Sequence, residues 1–336
     1  MSCGCVSVTQ HANRPFAQLD PAAVMAAADA IGIAASGRLL ALNSYENRVY
    51  QVADEAGVLW VFKFYRPNRW SDAAILEEHR YTVELAAHEL PVARPLQRDG
   101  NTLFHLAGQR YAAFEYLAGR APELDRPDAL ELLGRTLARV HAVGRVARFE
   151  HRPVLSLQSL GSDAREQVLA SGFVPTELQA RYADISAQLL DRVADEFDAI
   201  GALSLLRIHG DCHPGNILWR ATGPLFVDFD DCMTGPAVQD LWMFLAGGPA
   251  EQQSGWMHLM RGYESFGEVD ALELRLVEPL RSLRILHYAG WLAARWDDPA
   301  FPRAFPWFSE PRYWERHLQD LMEQLSNIDE PPLLAR

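Results

Sequence analysis

The chain has 336 residues, 49% of them hydrophobic and 22% charged, with a formal net charge of −13. That length supports two lobes with cores of their own, and the acidic balance argues against nucleic acid or an anionic membrane as a main partner while leaving cationic substrates open. No run of about 20 apolar residues could span a bilayer. Residues 1–20 lack the basic start and apolar core of a secretion signal. The four cysteines, Cys3, Cys5, Cys212 and Cys232, form no C-x-x-C pair and no disulfide framework, so a reducing cytoplasm is expected.

Residues 1–20 read as a loose tail that contains Cys3-Gly4-Cys5. Asp20-Pro21 then pairs an N-cap with a proline at the first helical position and predicts a helix over 22–31. From 39 to 64 the pattern turns to strands: a turn and an alternating run over 42–52, then a strand over 58–64 after a turn at Gly57. Ser71-Asp72 caps a long helix over 73–89, which Leu90-Pro91 ends. Short strands follow over 103–106 and 110–116, which completes a strand-strand-helix-strand-strand lobe spanning 21–118. Gly119 to Pro127 is polar and turn-rich, a hinge. A second lobe over 119–330 is mostly helical, with helices at 128–143, at 177–200 and through most of the chain after Asp240; a small β insertion at 203–219 and 224–229 interrupts it. Residues 331–336 read as a tail. The expected class is α+β: two lobes, a small, mostly β N-lobe carrying one long helix and a larger helical C-lobe.

The β insertion carries the most informative stretch, His209-Gly210-Asp211-Cys212-His213-Pro214-Gly215-Asn216, with Asp228 twelve residues further on in Val227-Asp228-Phe229-Asp230-Asp231. Asp211, Asn216 and Asp228 have the spacing that phosphoryl transfer to a hydroxyl uses. One Asp orients the hydroxyl, an Asn on the same loop holds a metal, and an Asp on the next strand joins in metal binding and catalysis. The hard oxygen donors of Asn216 and Asp228 suit Mg²⁺, and Gly210 and Gly215 permit a tight loop. Asp230 and Asp231 either cap the segment that follows or add negative charge around the metal. His209 and His213 have the spacing of a helical zinc pair, but Pro214-Gly215 breaks any helix and no third ligand stands nearby, so bonding to the loop backbone is the simpler role. Asp240 either caps a helix that begins there or bonds the loop from below.

The second signal is a scarcity. Of 31 basic residues 30 are Arg, and the only lysine is Lys63 in Trp60-Val61-Phe62-Lys63-Phe64. A chain that uses arginine wherever positive charge suffices keeps one compact ammonium, on an apparent strand, where kinases carry the lysine that meets the α- and β-phosphates. Glu78 is the candidate partner for its ammonium, with Glu77 as the alternative, because helical phase alone does not separate adjacent residues. The loop Asn43-Ser44-Tyr45-Glu46-Asn47 holds no glycine, so its side chains and backbone N–H groups must cover the phosphates. No G-x-x-x-x-G-K-[ST] run exists, which excludes a Walker-type site.

Together, H-G-D-x-H-x-x-N and V-D-F-D-D resemble the aminoglycoside phosphotransferase and choline kinase-like branch of the protein kinase-like fold. L-N-S-Y-E-N-R-V-Y-Q-V (42–52), F-K-F-Y-R-P-N-R-W (62–70), I-L-E-E-H (75–79) and G-P-A-V-Q-D-L-W-M (235–243) are similar to segments of the bacterial stress response kinases, a likeness that runs from about residue 19 to 333. The resemblance implies a cytoplasmic, ATP- and Mg²⁺-dependent serine/threonine protein kinase of the stress response. It makes Asp211 the proton acceptor, Asn216 and Asp228 the Mg²⁺ ligands and Ser44 a residue over the ATP. A monomer acting on protein Ser or Thr, with no nucleic acid or membrane partner, is expected. One alternative is a small-molecule kinase for an aminoglycoside, choline-like or amino-alcohol acceptor, which the acidic charge slightly favours. The other is a nucleotide-binding pseudokinase scaffold, disfavoured because every catalytic position is filled.

Lys63→Arg keeps the charge and on a surface would be silent, since arginine serves at 30 other positions. In a nucleotide cleft the planar guanidinium cannot hold the phosphates and a carboxylate in the lysine geometry. The expected outcome is loss of most transfer from labelled ATP at a melting temperature close to wild type; a fully active variant would remove the argument from lysine scarcity.

Overall fold

The structure, a computed structural model, describes residues 15–330 and Pro332. Cys3-Gly4-Cys5 and most of both expected tails lie outside the described residues. Chain order begins with α1 (Pro21–Ala30), β1 (Ala35–Leu42), β2 (Arg48–Asp54), β3 (Leu59–Phe64), α2 (Asp72–Ala87), β4 (Phe104–Leu106) and β5 (Gln109–Glu115). Asp20 Oδ1 accepts from the Ala23 N–H at 2.8 Å and Ser71 Oγ from the Ala74 N–H at 3.1 Å, so both N-caps form as the sequence indicates.

The five strands form one antiparallel sheet in the order β1-β2-β3-β5-β4. Strand alternation sends Phe62 and Phe64 to one face, where they pack with Val52, Tyr111 and the α1 residues Val24 and Ala28. Lys63 therefore faces the other side, toward α2 and the second lobe. The sheet has one strand more than the four expected. No residue of β1 is fully buried, so it shows no apolar alternation to read. The tail is also shorter than expected. Phe16 is buried against the sheet, with the guanidinium groups of Arg48 and Arg66 at 4.6 and 5.6 Å from its ring centre.

The rest is mostly helical: α3 (Pro127–Gly144), α4 (Asp163–Ser171), α5 (Thr176–Ile200), β6 (Leu205–Ile208), β7 (Ile217–Arg220), β8 (Gly223–Phe226), β9 (Met233–Pro236), α6 (Pro249–Tyr263), α7 (Val277–Arg295), α8 (Ala300–Ala304) and α9 (Pro311–Asp329). β6 pairs with β9 and β7 with β8, both antiparallel. The Asp211–Asn216 loop leaves β6 for β7, and the Asp228 loop leaves β8 for β9, so two short ladders hold the motif loops side by side. β9 escapes sequence reading because half of Met-Thr-Gly-Pro is a strand breaker. Asp240 starts no helix; it ends a 3₁₀ turn, Ala237–Asp240. One core joins α2, α3, β8 and α6 through Leu85, Leu137, Phe226 and Leu259. Another joins α5, α7 and α9 through Leu189, Leu286, Trp314 and Leu321.

α3 and α6 cross at glycines. A Cβ on Gly262 would overlap the Glu131 carbonyl oxygen, and one on Gly134 the Leu259 carbonyl oxygen. Alanine normally gains about 0.5–1 kcal/mol over glycine inside a helix. Here the overlap reverses the sign, because forcing atoms into a packed contact costs about 1–3 kcal/mol. Gly262→Ala is expected to lower the unfolding free energy in a denaturant titration; a stabilised variant would show that the helices part without cost.

Candidate active site

A cavity of about 1070 Å³ lies between the lobes, lined by the 43–47 loop, Lys63, Tyr116 just beyond β5, Asp211, Asn216 and Asp228. Ser44, Lys63, Glu78, Asp211, Asn216 and Asp228 all border it, whereas Glu77, His209, Asp230 and Asp240 do not line it. The hinge is fixed where it enters the second lobe, since the backbones of Arg120 and Trp219 exchange hydrogen bonds at 3.0 and 2.7 Å.

Asp240 anchors the Asp211 loop from below. Its buried carboxylate accepts the N–H groups of His209 at 2.7 Å and Gly210 at 2.9 Å and meets His141 Nε2 at 3.2 Å. The Tyr263 hydroxyl orients that imidazole at 2.8 Å. Gly210 has φ +84°, and a Cβ there would overlap the Asp231 carbonyl oxygen, so only glycine fits where the loop crosses the metal segment. His209 Nε2 bonds the Val227 carbonyl at 2.9 Å, and His213 Nδ1 accepts the Gly215 N–H at 3.0 Å. Both imidazoles bond backbone groups within the motif segments.

Asp211 stands in this cradle with Oδ1 at 2.5 Å from Arg284 Nη1 and Oδ2 at 3.3 Å from His213 Nε2. Burial pushes its pKa up, but the His213 hydrogen bond and the Arg284 guanidinium outweigh that and hold it well below the usual carboxylate range. Asn216 Nδ2 donates to the Asp211 carbonyl oxygen at 3.0 Å. Engaging the amide nitrogen leaves Asn216 Oδ1 free. Asp228 sits in the left-handed region at φ 58°, which turns its half-exposed carboxylate into the cleft. These two oxygen donors face the same cavity and suit Mg²⁺, which needs only one or two protein ligands when a nucleotide supplies the rest.

Lys63 ties the lobes together. Its Nζ lies 2.9 Å from Asp228 Oδ1, 3.0 Å from Asp230 Oδ1 and 3.8 Å from Glu78 Oε1. Burial lowers the pKa of the ammonium, but the carboxylates of Asp228, Asp230 and Glu78 more than reverse this and hold it well above the ordinary lysine value. Glu78, not Glu77, is the neighbour of Lys63. Glu77 accepts the backbone N–H groups of Glu150, His151 and Arg152 at 2.7, 2.8 and 2.9 Å. Ser44 Oγ donates to the Asn47 carbonyl at 3.2 Å and so braces the 43–47 loop.

Other residues also belong to the site. Asp230 is no cap: it is buried, bonded by Asn47 Nδ2 at 3.1 Å and paired with Lys63 and Arg69. Arg69 also pairs with Asp231. Arg152 donates to the carbonyls of Cys232 (2.9 Å) and Asp230, fixing the metal segment. Arg69 stood in the F-K-F-Y-R-P-N-R-W run, but only its reach to a segment more than 160 residues away reveals its role.

Comparison with known proteins decides the family. The profile of the phosphotransferase enzyme family matches residues 38–277. The chain belongs to this family. It is 43% identical to stress response kinase A of Escherichia coli (strain K12) over 318 residues, 95% of this chain and 96% of that protein. It is equally similar, over the same shares, to the serine/threonine protein kinase RdoA of Salmonella typhimurium (strain LT2). Among solved structures, the amicoumacin kinase hAmiN in complex with AMP-PNP, Ca²⁺ and Ami superposes with a TM-score of 0.71 at 19% identity, over 94% of this chain and 96% of that one. A microcompartment-associated aminopropanol kinase superposes with a TM-score of 0.69 at 19% identity, over 91% and 98%. These likenesses establish the kinase-like fold. Family membership makes the chain a phosphotransferase, with a nucleoside triphosphate as donor and a hydroxyl as acceptor. No helix among the described residues is long and apolar enough to cross a membrane.

Glu78 supplies a measurable pH signature. Burial, partly offset by Lys63 and reinforced by Asp230, pushes its carboxyl up from 4.5 to about 7. A carboxyl that holds its proton more tightly when folded stabilises the fold fully below its ordinary value of 4.5, and this contribution fades as the pH rises toward 7. Relative to Glu78→Gln, the wild type is expected to lose roughly 1–3 kcal/mol across that window in denaturant titrations, and the difference curve removes the common contribution of buried histidines such as His79. A flat difference curve would mean that Glu78 ionises as an ordinary surface carboxylate.

Proposed function

We propose that the chain is a cytoplasmic, monomeric serine/threonine protein kinase of the stress response, using ATP and Mg²⁺. The observation that carries the reading is the meeting of Asp211, Asn216, Lys63 and Asp228 in one interlobe cavity, in a chain 43% identical to kinases of that kind over nearly its whole length. The nucleotide lies between the 21–118 lobe and the 119–330 lobe, its triphosphate under the Ser44 loop. Lys63, kept in place by Glu78, takes the α- and β-phosphates. Asn216 and Asp228 hold Mg²⁺, which when bound shields the triphosphate and the charge that develops on it. Asp211 accepts the hydrogen bond of the acceptor hydroxyl and aligns it with the γ-phosphorus. The bond from the acceptor oxygen to Pγ forms as the bond from Pγ to the β,γ-bridging oxygen breaks; the electron pair leaves with ADP and the acceptor proton passes to Asp211. A lowered basicity suits this role, since positioning rather than full deprotonation is what a loose transition state requires.

A small-molecule acceptor is the second reading. It is favoured by the breadth of the cavity and by the fold shared with antibiotic and amino-alcohol kinases. Incubation with labelled ATP, Mg²⁺ and a protein mixture, beside a panel of amino alcohols and aminoglycosides, separates the two by where the label goes. Asp211→Asn is expected to lower transfer by at least ~10²-fold, the scale of a positioned acid–base group, with nucleotide affinity nearly intact. Retained turnover in that variant would remove Asp211 from the chemistry.

A further inference from the structure

The wall facing Asp211 is one side of α7. Leu280, Arg284, His287, Tyr288, Trp291 and Arg295 recur at helical spacing and all border the cavity. This face bears basic and aromatic side chains and no carboxylate. The one acid of α7, Glu278, is paired with Arg281. Arg295 is engaged by Glu46 at 3.2 Å. His287 is exposed and makes no hydrogen bond or ion pair among the described residues. Arg284 is half-exposed and among the described residues has one partner, Asp211, through Nη1 alone, which leaves its Nε and Nη2 donors unused there. At the acceptor end, Arg284 therefore stands beside Asp211 with donors to spare.

We propose that Arg284 selects the acceptor: it binds a carboxylate side chain flanking the Ser or Thr that receives the phosphoryl group, and in moving to that carboxylate it releases Asp211 Oδ1 for the acceptor hydroxyl. The inference rests on the protein-kinase reading and names its substrate class, a hydroxyl in an acidic segment. Two features support the exchange. A guanidinium fork with two free nitrogen donors matches a carboxylate bidentately. In the substrate-free protein Asp211 already holds Arg284 on one oxygen and His213 on the other, so an acceptor must compete for the base. An acidic acceptor brings its own partner for the guanidinium, whereas a basic one leaves Arg284 on Asp211 and adds repulsion from α7.

The test is a set of single-Ser and single-Thr peptides with Asp, Ala, Arg or phosphoserine flanks, phosphorylated with labelled ATP and Mg²⁺. Wild type is expected to favour Asp over Arg flanks by at least ~10-fold in kcat/KM, the scale of one charge-assisted hydrogen bond. In Arg284→Gln the preference should shrink toward unity, mainly through KM, and in Arg284→Glu it should invert. Equal rates across the wild-type panel, a preference for Arg flanks, or an unchanged Asp preference in Arg284→Glu would overturn the inference while leaving the kinase reading intact. A phosphoserine-flanked peptide that outperforms the Asp-flanked one would overturn the carboxylate assignment in favour of a phosphate. Absence of transfer to every peptide and to a whole protein mixture would overturn the protein-kinase reading and this inference together.

Discussion

One buried ammonium holds the two lobes in register. Lys63 comes from β3, Glu78 from α2, and Asp228 and Asp230 from the segment between β8 and β9. Three cations, Lys63, Arg69 and Arg152, face four carboxylates, Glu78, Asp228, Asp230 and Asp231, in this region. Burial, with the nearby charges of Asp230 and Asp228 adding to it against Lys63 and Arg152, keeps the proton on Glu78 to about pH 7. Buried charges of one sign cannot stay uncompensated, because removing one partner of such a group costs about 3–5 kcal/mol. The cluster is thus nearly balanced without nucleotide. A divalent cation on Asp228 would relieve the excess of acid and free Lys63 for phosphate, so donor binding and the ionisation of Glu78 are coupled through ordinary electrostatics.

α2 carries this arrangement into the rest of the site. Adjacent helical residues lie about 100° apart, so Glu77 and Glu78 leave the helix in different directions. Glu78 faces Lys63, while Glu77 gathers three successive N–H groups at 150–152. That turn fixes Arg152, whose guanidinium stacks on Trp70 at 4.1 Å and holds the carbonyls of Asp230 and Cys232. The helix therefore reaches the metal segment by two routes, one ionic through Lys63 and one through the backbone at 150–152. A shift of α2 would disturb both.

What could be read in advance follows from locality. Asp211, Asn216 and Asp228 lie within eighteen residues of one another, on loops whose glycines and flanking strands leave a local signature. The N-caps Asp20 and Ser71 were legible for the same reason. Lys63 stood out because arginine is used everywhere else, and the geometry gives the reason. Arg48, Arg66 and Arg69 each spread a planar fork over two or more acceptors, whereas Lys63 concentrates its charge at one point among three carboxylates. Asp230, Arg152 and Arg284 were not legible in the same way, since their partners lie 78 to 183 residues away, or 73 in the case of Arg284. β1 was invisible because a largely solvated strand has no apolar period, and Asp240 was ambiguous because a cap and a loop anchor use the same carboxylate.

α7 makes the two ends of the cleft one mechanical unit. At its C-terminal end Trp291 Nε1 donates to Glu46 at 2.6 Å and Arg295 meets the same carboxylate at 3.2 Å, which fastens the 43–47 loop to the helix. Two turns earlier, Arg284 touches Asp211. Arg66 and Arg48 extend the clasp from the N-lobe to Asp298, just beyond the helix, at 2.7 and 2.8 Å. A rigid helix that touches both the 43–47 loop and Asp211 cannot move at one end without moving at the other. Under the proposed function, an acceptor that repositions Arg284 would therefore act on the same element that holds Glu46 and its loop.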